Sequence, residues 1–252
     1  MSPPPIALRT IAFGDVERTV WGAAWIPDPD GPAFIALGGN GDHSLVSSLR
    51  VSGGGGGEWR LDGDRAELLV SGLGEAVAAT APDDHLEGFD QLCRVTGRFE
   101  LDGAERGVDC LGLRMSLSWP FDLAKLESVR AVSTWFEPDE GLALVAFRTR
   151  KAKAHDADVI AAAVLGPDRA PAVQDPRLST TYEAEGWPVR AGLELWFGSE
   201  GEEEQFPRRA SGEATGVRAQ GTADGLEIRA EPFRWHSRGR EGAGLYMLAR
   251  RA

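Results

Sequence analysis

The chain of 252 residues reads as an all-β protein, built as an antiparallel barrel or a β-sandwich. Three observations predict this. Apolar and polar residues alternate with a period of two in several stretches, the pattern of half-buried strands. Thirty-two glycines and 15 prolines punctuate short apolar runs, which argues against a helical protein. Strand-like segments recur at roughly eight to twelve residues, as in a sandwich or an up-and-down barrel.

Residues 6–13 (IALRTIAF) and 19–26 (TVWGAAWI) read as strands across a polar turn, closed by Pro27-Asp28-Pro29-Asp30-Gly31. Ala33–Leu37 and Leu45–Ser52 follow, then the glycine run Gly53 to Gly57. That run has no following Lys-Ser/Thr and no parallel βα unit around it, so it is a hairpin loop and not a phosphate cradle. Glu58–Leu61 and Ala66–Val70 flank the turn Asp62-Gly63-Asp64, and Glu75–Thr80 leads on to the centre of the chain.

The centre is Phe89–Trp119. Cys93, Val95, Gly97, Phe99 and Leu101 alternate with Arg94, Thr96, Arg98 and Glu100 up to Asp102-Gly103, a tight hairpin turn. On the return, Val108 and Cys110 are followed by Leu111, Leu113, Met115 and Leu117, a change of phase that predicts a β-bulge or barrel corner at Gly112. A two-residue loop places Cys93 and Cys110 diagonally on one face, about 7 Å apart or slightly less. Two cysteines are no disulfide framework, and they read as reduced core residues.

Beyond it, Phe121–Glu127 could form one helical turn, and Val129–Phe136 pairs with Leu142–Thr149. Asp158–Leu165 suits strand or helix, with strand favoured by its place in a meander. Tyr182–Glu185, Ala191–Phe197, Gly212–Gln220, Gly225–Ala230 and Ala243–Arg250 continue the rhythm. Residues 1–125 and 126–252 read as two β halves, or as one continuous domain. A short echo between Ser71-Gly72-Leu73-Gly74-Glu75-Ala76 and Ser211-Gly212-Glu213-Ala214 fits two pseudo-repeated halves or chance.

The net charge is −12, which disfavours nucleic acid and anionic membrane surfaces as partners. No apolar run of about 18 residues occurs, so membrane insertion is not expected. The start, MSPPPIALRT, lacks a signal-peptide pattern, and with reduced cysteines this points to the cytoplasm.

Candidate chemistry is scattered. His43, His85, His155 and His236 stand in separate segments, and Asp83-Asp84-His85 alone is too little for zinc, so no metal and no cofactor are expected. No Gly-x-Ser-x-Gly elbow occurs. Asp90, Asp109 and Glu194 lie in or beside strands, and a carboxyl among them enclosed by apolar surface would have a raised pKa and could protonate an alkene. Trp119, Trp135, Trp196 and Trp235 either fill a β core or line a site for a large apolar ligand, with Arg114 fixing orientation and His236 beside Trp235.

The pattern CRVTGRFELDGAERGVDCLGLR, followed shortly by SW, resembles the lipocalin-like proteins grouped with carotenoid 1,2-hydratases, as does the C-terminal EPFRWHSRGREGAGLYML. The resemblance covers about residues 66–150 and 210–250. It implies one or two lipocalin-like barrels or half-barrels around an apolar site, with relatives acting on polyenes or as pericyclases in natural-product pathways. Those relatives carry an acid and a histidine just before the tryptophan, where this chain has Met115, Ser116, Leu117 and Ser118.

Together these readings predict binding of a hydrophobic small molecule, with or without cofactor-independent hydratase, isomerase or cyclase activity. The ligand-binding candidates are Arg114, Trp119, Trp135, Trp196, Trp235 and His236, and no catalytic residue is assigned. The alternatives are a non-catalytic carrier and a structural or interaction β-sandwich. A cavity of about 300 Å³ or more between the sheets separates the first two from the third.

Overall fold

The computed structural model describes residues 6–15, 17, 19–26, 33–39, 41–45, 49–53, 57–79, 86–119, 125–150, 152, 158–166, 172–198, 206–223 and 225–251. The readings at Pro27–Gly31, Gly54–Gly56, Asp83–His85, Phe121–Ala124 and His155 lie outside these residues. The described residues form strands and turns without an α-helix, so none is long and apolar enough to cross a membrane as a helix.

The first sheet holds β1 (Ile6–Gly14), β2 (Trp21–Ile26), β3 (Phe34–Gly39), β4 (Asp42–Leu45), β5 (Arg50–Ser52), β6 (Trp59–Gly63), β7 (Ala66–Gly72), β8 (Val77–Ala78), β9 (Glu87–Leu101) and β10 (Ala104–Trp119). Their order is β4-β3-β2-β1-β10-β9-β7-β6-β5, with β8 also on β9. The second sheet holds β11 (Leu126–Glu137), β12 (Glu140–Thr149), β13 (Val159–Leu165), β14 (Val173–Tyr182), β15 (Pro188–Phe197), β16 (Arg208–Ala214), β17 (Ala219–Ala223), β18 (Leu226–Ser237) and β19 (Arg240–Arg251). Its order is β13-β12-β11-β19-β18-β16-β15-β14, with β17 also on β18.

Strand for strand, the two orders are the same apart from the extra edge strand β4. The hairpin β9–β10 therefore corresponds to β18–β19. Both turn through two residues with positive φ, Asp102 (52°) and Gly103 (76°) in the first, Arg238 (50°) and Gly239 (76°) in the second. That is the type I′ geometry that matches strand twist. Aligning the turns pairs Gln91 with Glu227, Arg114 with Arg250, and Asp90 with Leu226. The echo at Ser71 and Ser211 falls on the equivalent strands β7 and β16 but out of register, since Ser71 faces Arg94, the counterpart of Ala230, while Ser211 faces His236.

The fold is lipocalin-like. One sheet curls to a nearly closed barrel and the other to a half-barrel. Each sheet wraps around a core made only of its own residues: Phe13, Trp59, Val95 and Phe99 in the first, Leu193, Phe233, Trp235 and Tyr246 in the second. A third core lies between the sheets and draws on both, including Trp21, Trp25, Leu113, Trp135, Val145 and Met247. The Trp135 indole donates to the Gly14 carbonyl at 3.1 Å across this layer.

Three sequence expectations change. The apolar phase of β10 shifts without a bulge, for its pairing with β9 is unbroken from Ala104 to Ser118. Val108, Cys110 and Arg114 stay on the inner face, and the opposite face passes from solvent at Asp109 to the inter-sheet core at Leu113, Met115 and Leu117. Arg114 thus points inward, buried. β14 hides a proline, Pro176, which an edge strand tolerates because one side of its ladder is free. Gly212–Gln220 divides into β16 and β17, separated at Thr215–Arg218. Cys93 and Cys110 are free thiols on the inner face, and burial pushes them up to about 12 and about 11.

Candidate functional site

The face of the first sheet that meets the second is ordered in rungs. One runs Phe34, Trp25, Thr10, Met115, Asp90 and Val77, each paired with the next across the ladder. The adjacent rung is Ala36, Ala23, Ala12, Leu113 and Leu92. The second sheet also presents small side chains to the shared core, among them Ala131, Ala143, Ala161, Ala163 and Ala249. Alternating side chains on strands put these residues on one face with no further requirement.

Asp90 is the exception in that apolar layer. It is 2 % exposed, its Oδ1 has no hydrogen-bond partner, and burial pushes its carboxyl up to about 7. The equivalent position in the second sheet is Leu226, equally buried, so the fold itself does not require an acid there. Four more buried polar atoms on the same layer lack partners: Thr10 Oγ1, Trp21 Nε1, Trp25 Nε1 and Ser133 Oγ. An unsatisfied buried polar group costs about 1–3 kcal/mol, so a concentration of them in one layer calls for an explanation.

The layer is packed. The inter-sheet space bordered by Phe13, Gly14, Trp21, Trp135 and Phe233 has a volume of ≈ 10 Å³, so the cavity of about 300 Å³ expected of a ligand-binding protein is not open there. The larger concavities among the described residues lie on outer faces. One of ≈ 640 Å³ follows β14–β16 and β18 past Ser179, Gly192, Ser211 and His236, and one of ≈ 400 Å³ crosses β6, β7 and β9. Among the described residues the large hydrophobics left exposed are Tyr182 and Phe206.

The sequence-predicted site residues whose side chains are described fall in four places. Arg114 lies inside the first sheet, donating to Gln91 Oε1 at 3.1 and 2.6 Å and to the Gly57 carbonyl at 2.5 Å. Its guanidinium stands over Trp59, 5.1 Å from the ring centroid. Trp119 ends β10 opposite Ile6, and its side chain lies outside what the structure describes. Trp135 faces the inter-sheet layer. Trp235 is enclosed by the second sheet, stacked on Phe233 at 5.8 Å. Trp196 sits on that sheet's outer side beneath Arg177 at 5.7 Å, and His236 is exposed in the outer groove. They do not converge on one cavity.

Among the three candidate carboxylates, only Asp90 is enclosed. Asp109 is exposed, and its hydrogen bonds to Arg94 at 2.5 and 2.8 Å hold it below the usual range. Glu194 pairs with Arg209 at 2.9 Å on the outer face. Sequence reasoning missed a fourth, Glu231, which is fully buried and pushed up to about 7 by burial against the opposing effect of Arg218. Its signal is strand parity: Glu227, Arg229 and Glu231 share the phase of Phe233 and Trp235, the inward side of β18.

No family model matches the sequence, and no curated protein matches it. Solved structures share the fold. The crystal structure of CghA with Sch210972 superposes with a TM-score of 0.67 at 11% identity, over 99% of this chain and 89% of CghA. Kievitone hydratase from Nectria haematococca gives 0.65 at 10%, over 97% of this chain and 89% of its own. An AttH-like protein from Nitrosomonas europaea gives 0.63 at 11%, over 97% and 92%. At these identities the likeness is one of fold.

Proposed function

We propose that the protein binds a hydrophobic small molecule between its two sheets, and that Asp90 is the proton donor in a cofactor-independent hydration, isomerisation or cyclisation. The observation that carries this reading is Asp90 itself: a carboxyl in an apolar layer, 2 % exposed, whose Oδ1 has no hydrogen-bond partner among the described residues, at a position where the other half has Leu226. An acid poised near neutrality is about half protonated there, able to give a proton to an alkene or carbonyl and take one back. The carotenoid-hydratase proteins that the sequence resembles place an acid just before the tryptophan. Here Met115 occupies that stretch, and Asp90 stands directly opposite it on the neighbouring strand.

Trp21, Trp25 and Trp135 form the wall of this site. The unpaired indole N–H groups of Trp21 and Trp25 would hold ligand oxygens. Entry requires the sheets to part, because the layer is packed around Trp25, Met115, Trp135 and Met247 and leaves only ≈ 10 Å³ beside Trp21 and Trp135. The two-sheet fold shared with CghA, whose structure contains Sch210972, and with kievitone hydratase supports a small-molecule role.

Tryptophan fluorescence, titrated with a panel of polyenes and oxygenated terpenoids, tests the reading. Saturable quenching is expected for wild type and Asp90→Asn alike, with product formed only by wild type. Quenching without turnover in either protein makes the chain a carrier. Unchanged emission across the panel contradicts the site.

A further inference from the structure

Both halves close their inner cores with one device. Trp59 opens β6 under the guanidinium groups of Arg114, at 5.1 Å, and Arg9, at 5.9 Å, and Arg114 donates to the carbonyl two residues earlier, on Gly57. Trp187 stands just before β15, the equivalent strand, under Arg229 at 4.9 Å and Arg218 at 5.1 Å. Arg229 likewise donates to the carbonyl two residues earlier, on Glu185, at 2.6 Å. The tryptophans open equivalent strands, but the arginines over them come from different strands: Arg9 from β1 and Arg114 from β10 in the first half, Arg229 from β18 and Arg218 from the segment before β17 in the second.

In the second half the closing turn offers three groups to two arginines: the Trp187 ring, the Glu183 carboxylate at 2.6 Å from Arg218 Nη1, and the Glu185 carbonyl. Behind them lies Glu231, fully buried, whose Oε2 has no hydrogen-bond partner and is 3.6 Å from Arg218 Nε. Tyr246 is directly opposite Glu231 across the ladder. The turn keeps its own shape through Glu183 N–H to Trp187 O at 3.0 Å and Gly186 N–H to Glu183 O at 2.9 Å.

We propose that this is a second ligand site, distinct from the inter-sheet layer, that takes a planar aromatic carboxylic acid, and that the Glu183–Trp187 turn occupies it as a built-in competitor. Such a ligand supplies the flat ring and the carboxylate that the turn now supplies. Cation–π contact and a charge-assisted hydrogen bond are the two interactions exchanged. Displacing the turn leaves Arg218 with the buried Glu231 alone, so a ligand carboxylate replaces Glu183 without adding an unpaired charge.

Isothermal titration with indole-3-acetate as the probe tests this. Wild type is expected to bind weakly, Trp187→Ala at least tenfold more tightly, and Trp187→Ala with Arg218→Met at least tenfold more weakly than Trp187→Ala alone. If Trp187→Ala fails to fold, Glu183→Gln loosens the latch without opening a cavity and is expected to bind more tightly than wild type. No saturable binding by the loosened variant, or binding indifferent to Arg218→Met, overturns the proposal.

Discussion

Asp90 and Leu226 occupy equivalent positions, and the difference between them is a direct measure of what the acid costs. Asp90→Leu is expected to stabilise the protein by on the order of 4 kcal/mol in urea denaturation at pH 8, since it removes a buried carboxyl that must ionise there. An equal or lower stability would mean that Asp90 has a structural partner. Asp90 also fixes a pH dependence. Its folded pKa lies above the ordinary 3.8, so the folded state retains a proton that the unfolded chain has lost. Its contribution is therefore fully present below about pH 4 and is lost as pH rises to about 7. At about 1.4 kcal/mol per pH unit, that loss is on the order of 4 kcal/mol. Glu231 acts with the same sign. Urea midpoints for wild type should fall between pH 5 and pH 8, and Asp90→Asn should fall less. At this scale the sequence names Asp90 as one of three carboxylates and cannot choose among them. Asp90 shares its parity with the exposed Arg94 and Arg98, and only the arrival of the second sheet over Leu92 and Asp90 makes that face interior.

Elements whose signals are local are readable from sequence. Asp102-Gly103 announces its turn because both residues accept positive φ, and the strand before it alternates without interruption from Cys93 to Leu101. Gly103→Ala is expected to cost about 1 kcal/mol, the steric price of a Cβ at φ 76°, with the loss read as a lower urea midpoint; an unchanged midpoint would show that the turn relaxes. Elements whose character depends on neighbours are harder to read. The change of phase in β10 imitates a bulge because burial changes sides while the backbone does not. β14 is obscured by Pro176, acceptable only because the strand lies at a sheet edge. The long strand β18 contains Glu227, Arg229 and Glu231 on its inner side, which polarity alone would have assigned to solvent.

At the scale of the molecule, one strand order used twice explains most of what the chain does. The hairpins β9–β10 and β18–β19 are equivalent in the two sheets, whereas the echo at Ser71 and Ser211 lies on equivalent strands out of register. The sequence carries the repeat faintly because the inner faces have diverged, with Val95 matched to Glu231 and Cys110 to Tyr246, while Arg114–Gln91 and Arg250–Glu227 keep the same pairing at 3.1 and 3.0 Å. The tryptophans could not be assigned to one site because three separate cores compete for them. Trp135 belongs to the interface, and Trp135→Phe should lower stability by about 1 kcal/mol through loss of its bond to Gly14, an effect that thermal unfolding would register; no change would mean the sheets are held by packing alone. The proposed chemistry requires an enclosed Asp90 that meets a ligand between the sheets. The most direct measurement is a 13C NMR titration of the Asp90 side-chain carboxyl, assigned with Asp90→Asn, with and without a saturating apolar ligand from the fluorescence panel. A midpoint near 7 that moves when the ligand binds is the predicted result, and a midpoint near 4 that ignores the ligand would contradict it.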